Sequence, residues 1–125
     1  MNNFKNFVIL YEKRDTIDSF IKFCKHGLNI QTPCDISFVD QPDKDMTTGC
    51  FSPMTREIKV MTGGRALVDI LRSIAHELVH AKQHEDGKLK PGSGEDGTPI
   101  ENEANSLAGV IMRKFQRKNR DIYDG

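Results

Sequence analysis

The chain carries no excess charge of either sign. Its 18 Lys and Arg balance 18 Asp and Glu, so no global field draws nucleic acid or an anionic membrane. Long hydrophobic runs are also missing. The N-terminal apolar run, residues 7–11, falls far short of the ~18 residues a membrane span needs. It is too short for a signal-peptide core as well, and no small-residue cleavage pattern follows it. Cysteine is scarce: Cys24, Cys34 and Cys50 form an odd set with no paired spacing, which excludes a secreted disulfide scaffold. These absences point to a cytoplasmic protein with reduced thiols, bacterial or, if phage-encoded, in the host cytoplasm. The cysteines then read as small buried hydrophobes. No internal repeat and no low-complexity block occurs. The modest apolar fraction, 37%, is concentrated in periodic segments, which argues against disorder. A chain of 125 residues has room for one core, so residues 1–125 are expected to form a single domain.

Residues 4–11 fit a short strand or the lead-in to a helix. From Thr16, the residues Ile17, Phe20, Ile21, Cys24 and Leu28 recur at helical spacing, with Gly27 as the expected stop. Residues 34–40 alternate like a strand. After a polar, proline-bearing turn, residues 49–52 and 57–61 read as two strands joined by Pro53-Met54-Thr55. Gly63-Gly64 precedes a long helix over residues 66–85. A glycine-rich, charged loop spans 86–99, with Gly92, Gly94 and Gly97 suited to a mobile lid or a passive linker. A second amphipathic helix covers residues 100–118. The layout predicts a small α+β domain.

Residues 76–80 read His-Glu-Leu-Val-His. Four residues apart on a helix, His76 and His80 lie one turn apart on one face and can reach one ion. Glu77 sits about 100° further around. There it can take a proton from water that a bound zinc has acidified. Leu67, Ile70, Leu71, Ile74, Leu78 and Ala81 occupy the opposite side, anchoring the helix, while Asp69, Ser73 and Gln83 share the histidine side. His84 continues the histidine row. It is a candidate contact for a substrate oxyanion, or an exposed cation at the helix end.

Catalytic zinc ordinarily has three protein ligands. The second helix offers Glu101, near Ala104 and Ala108 on the wheel, and small residues there allow close approach of the histidine helix. Glu101 is the preferred third ligand. The alternative is Glu103, because Thr98, Pro99 and Glu101 also fit a capping box in which Glu101 turns back to the cap nitrogen.

The paired motifs, HELVH and Glu101-x-x-Ala104-Asn105, resemble those of gluzincin metallopeptidases, in particular the minigluzincins and the ImmA/IrrE-type peptidases. The likeness covers residues 56–112. It implies a small zincin-like domain, its short three-stranded sheet packed on the HExxH helix, with a C-terminal Glu-bearing helix. It further implies Zn2+ held by His76, His80 and Glu101, with Glu77 catalytic in hydrolysing a protein or peptide substrate. Asn105 matches a position where related peptidases keep a group that orients a ligand. The family's edge strand would be residues 57–61, able to pair with an extended substrate. Two features depart from the family. These 125 residues are expected to leave no room for the helix-turn-helix that the ImmA/IrrE type often carries, and only Tyr123 and His84 are candidates for the oxyanion. A rival reading is therefore a zinc-binding interaction or regulatory protein with a degenerate site. A DNA-associated protease ranks lower, on the basic run Arg113, Lys114, Arg117, Lys118 and Arg120. That run also suits a helix C-terminus.

Overall fold

A computed structural model describes residues 13–41, 48–89 and 98–119. Its elements are α1 (Arg14–Leu28), β1 (Asp35–Val39), β2 (Gly49–Ser52), β3 (Glu57–Met61), α2 (Leu67–Glu85) and α3 (Pro99–Lys118). The architecture is α+β, with a three-stranded mixed sheet. Residues 4–11, the glycines of the expected lid, Arg120 and Tyr123 lie outside the described residues. No described helix is long and apolar enough to cross a membrane.

The sheet order is β1-β3-β2, with β1 parallel and β2 antiparallel to β3. This corrects the expectation that residues 57–61 form an edge. The β2–β3 hairpin puts β2 on one side of β3, and the 40–48 connection lets β1 take the other. Ile58 and Val60 of β3 are completely buried, as a central strand requires. Register groups Ile36, Phe38, Gly49, Phe51, Ile58 and Val60 on the face that packs against the helices. The opposite face carries Ser37, Glu57 and Lys59, so the period-two pattern is that of a sheet covered on one side.

α1 buries Ile17, Phe20 and Cys24. Phe20 and Phe23 meet Phe115 of α3 edge-on, with centroids 4.9 and 5.4 Å apart. Gly27 does not end α1. Asn29 takes the left-handed conformation (φ 55°), with its N–H on the His26 carbonyl at 3.1 Å and that of Ile30 on Lys25 at 3.0 Å. Asparagine tolerates this conformation because its short polar side chain can bond locally, so the helix runs one residue past the glycine, to Leu28, and Asn29 caps it. Burial pushes the Cys24 thiol far above its usual range, and Cys24, Cys34 and Cys50 are all unbridged.

Two arginines fasten α2 to its surroundings. Arg65 donates to the carbonyls of Met61 (2.8 Å) and Asp69 (2.9 Å) and to the Ser73 hydroxyl (2.8 Å). Arg56, in the left-handed region at φ 57°, donates to the carbonyls of Pro33, Thr32 and Ala81. Glu85 completes this end of α2 by accepting from the backbone N–H groups of Thr32 (2.7 Å) and Gln31 (3.0 Å). Those bonds, led by Thr32, hold its carboxyl at about 2. Just before α2, Gly63 passes against the end of β1, where a Cβ would collide with the Asp40 carbonyl oxygen. Gly63→Ala should therefore lower the unfolding free energy by ~2 kcal/mol, since overpacking against backbone forces the strand ends apart. An unchanged urea midpoint in that variant would contradict the close approach.

Candidate metal centre

α2 buries Ile70, Leu71, Ile74, Leu78 and Ala81, which turns the His76–His80 side away from the core. α3 is seated by Ala104, Ala108, Ile111, Met112 and Phe115. Ala104 is completely inaccessible, and a larger side chain there would hold the two helices apart. The result brings Glu101 onto both histidines. Its Oε1 lies 2.8 Å from His76 Nε2, and its Oε2 lies 3.1 Å from His80 Nε2. The two Nε2 atoms are 3.2 Å apart.

The choice between ligand and cap at Glu101 has a double answer. Thr98 does cap α3, its hydroxyl accepting from the Glu101 backbone N–H at 3.2 Å. The Glu101 carboxylate points to the histidines. Glu103 is not one of the converging group. Its Oε1 accepts from Gln83 Nε2 at 2.8 Å.

Gln83 fixes the proton on His80. Its Nε2 faces two acceptors, Glu103 and the Ile100 carbonyl (3.0 Å), so that end of the amide is the donor. Its Oε1 then accepts from His80 Nδ1 at 2.8 Å. With the ring proton on Nδ1, Nε2 presents a lone pair. His76 has its own side-chain hydrogen bond with Asn105, and burial is the main cause holding its pKa below the usual range. Two ring nitrogens and a carboxylate thus meet at one spot, a group that could hold a cation.

Does the donor set suit zinc? Ligands about 2.0–2.2 Å from a tetrahedral ion stand roughly 3.3–3.5 Å apart. The three separations here come within about half an ångström of that, and two imidazoles with one carboxylate are donors zinc accepts. No family model, curated protein or solved structure matches this chain. Its resemblance to the gluzincins thus rests on the two sequence motifs alone.

Glu77 lies close enough to the centre to feel the Glu101 charge. Its side chain is buried, and its carboxyl is pushed up to about 8, chiefly by burial and further by the nearby Glu101 charge. Gly49 of β2 makes room for it, since a Cβ there would stand 3.2 Å from both Cγ and Oε2 of Glu77. β2, not β3, is the strand beside the centre. Thr48 and Ser52 point their carbonyls at β3, accepting from the N–H groups of Met61 and Arg56. By alternation, the N–H and C=O groups of Gly49 and Phe51 point to the outer edge.

His84 is not brought into the metal group. Its Nδ1 accepts from Arg56 Nη1 at 2.9 Å, and its ring lies 5.7 Å from that of Phe51. From the sequence, Gln83 is only a polar residue on the histidine side, and its partners do not follow from that. Its spacing, three residues after His80, was the available signal. The contribution of Gly49 had no local signal, because it depends on which strand lies over Glu77.

Proposed function

We propose that the chain is a zinc-dependent metallopeptidase. The observation that carries this reading is the convergence of His76, His80 and Glu101 beside the buried Glu77, all within one α2–α3 junction. His76, His80 and Glu101 would hold the ion, His80 through Nε2. When bound, zinc supplies a Lewis acid that polarises a carbonyl and acidifies water. Glu77 takes the proton of the attacking water on its carboxylate and later delivers it to the leaving amine nitrogen. Without metal, burial raises the Glu77 carboxyl to about 8, and a cation bound beside it would favour the carboxylate that accepts this proton. Asn105 and Gln83 orient the two imidazoles from behind.

The outer edge of β2 supports a peptide as substrate. An extended segment paired there would meet the N–H and C=O groups of Gly49 and Phe51, and its backbone would run past Glu77. This replaces the expected docking on residues 57–61, whose two sides are already paired.

The test is hydrolysis of an unfolded protein substrate, followed before and after chelation and zinc reloading. Cleavage that disappears with the metal, returns with it and is lost in Glu77→Gln supports the peptidase. Zinc retained by the wild type with no cleavage of any unfolded protein or peptide mixture would support the interaction-module reading instead.

A further inference from the structure

Among the polar residues of α2, Gln83 is the one whose burial calls for a reason. It is 2% exposed, and all its polar atoms are spent between α2 and α3. A buried amide stabilises little unless each bond is made, and here each is made in one direction only. Glu103 and the Ile100 carbonyl take the amide hydrogens. The amide oxygen is thereby turned toward His80 Nδ1, and His80 Nε2 toward Glu101. A flipped amide would put an oxygen against Glu103 and a nitrogen donor against a ring N–H. Glu103 therefore acts on the centre through Gln83, at one remove from the ion. Its second oxygen lies 3.9 Å from Lys88 Nζ, just beyond the end of α2.

We infer that Gln83 and Glu103 form a positioning pair that locks His80 in the metal-binding tautomer and sets the affinity of the centre. The inference rests on the metal-site reading of His76, His80 and Glu101. α3 then serves the centre from three residues of its first two turns. Glu101 supplies a ligand, Glu103 orients His80 through Gln83, and Asn105 contacts His76. Ring orientation is thus tied to the docking of α3.

The experiment measures the zinc dissociation constant by chelator competition on the full chain. It compares wild type with Gln83→Leu, Glu103→Ala and Glu103→Gln, and melts each metal-free to verify folding. Losing a group that orients a ligand weakens metal binding roughly 10–100-fold. That loss is expected for Gln83→Leu and Glu103→Ala. Glu103→Gln keeps an acceptor for the Gln83 amide, so it should stay near wild type. The double variant Gln83→Leu/Glu103→Ala should be no weaker than Gln83→Leu alone, because Glu103 has no other route to the ion. The d–d spectrum of the cobalt-loaded protein should shift with the first two variants only, reporting a reoriented ring.

Folded Gln83→Leu and Glu103→Ala chains that hold zinc as tightly as wild type would overturn the inference and leave the metal site intact. If Gln83→Leu fails to fold, Glu103→Ala against Glu103→Gln decides the matter, both lying at a partly exposed position. A wild type that binds no zinc would remove the metal-site reading and this inference with it.

Discussion

Glu101→Ala is expected to leave dialysis without zinc, whereas the wild type retains one ion per chain. The substitution removes the only anionic donor of the three and leaves two neutral imidazoles on one helix. Two such donors cannot close a zinc site alone, since three protein ligands are the rule for catalytic zinc. The loss should exceed the roughly 10–100-fold typical of removing a residue that only orients a ligand. Glu103→Ala, although just two residues away, should keep zinc at millimolar loading and show only the smaller effect. The contrast between neighbours is the informative part, because both glutamates lie in the first turns of α3. Elemental analysis after dialysis checks both variants. Zinc retained at full stoichiometry by Glu101→Ala would move the third ligand elsewhere. Equal losses in the two variants would mean that α3 docking, and not the Glu101 carboxylate, holds the ion.

That contrast also shows where local sequence stops being informative. The α2 periodicity is a local property. Apolar residues at three- and four-residue spacing had to face a core, and His76, Glu77 and His80 follow from that face. Glu101 was reachable too, because the alanines on its side of α3 permit close helix contact, and Ala104 is indeed completely buried. Strand limits emerged for the same reason, as β2 and β3 match the alternating segments. Strand order did not. Whether β3 is central depends on β1 pairing with it across some twenty intervening residues, and the alternation of β3 is equally compatible with an edge. The edge therefore passed from residues 57–61 to β2, and with it the identification of Gly49 as the residue facing Glu77. Gln83 was illegible for a related reason. A glutamine on a polar helix side reads as solvated until Glu103 and Ile100 are known to lie opposite it. Gly27 misled because glycine is the commoner helix stop, while Asn29 makes the same left-handed turn two residues later.

Glu77→Gln should retain zinc at wild-type stoichiometry and lower peptide hydrolysis by about 10²–10⁴-fold, the usual contribution of a positioned general base. Glutamine preserves the volume beside Gly49 but cannot accept and return a proton. Its second effect is on stability and isolates Glu77 from the ion. In the metal-free protein the carboxyl is raised to about 8 by burial and by Glu101, while in the unfolded chain it titrates near 4.5. Below pH 4.5 both states carry the proton and folding carries no penalty. From there to about pH 8 the unfolded chain releases its proton while the folded chain keeps it, so stability falls as pH rises. Above pH 8 the folded state holds a buried carboxylate and the penalty levels off, at no more than about 5 kcal/mol. Metal-free Glu77→Gln should lose this slope, matching wild type in acid and exceeding it at pH 8.5. Zinc should flatten the wild-type slope as well, because a cation beside Glu77 favours the carboxylate. Urea midpoints of the four combinations, at pH 5 and 8.5, read this directly. Parallel pH dependence in metal-free wild type and Glu77→Gln would mean that Glu77 is not the raised carboxyl. Undiminished hydrolysis in the zinc-loaded variant would remove it from the role of base.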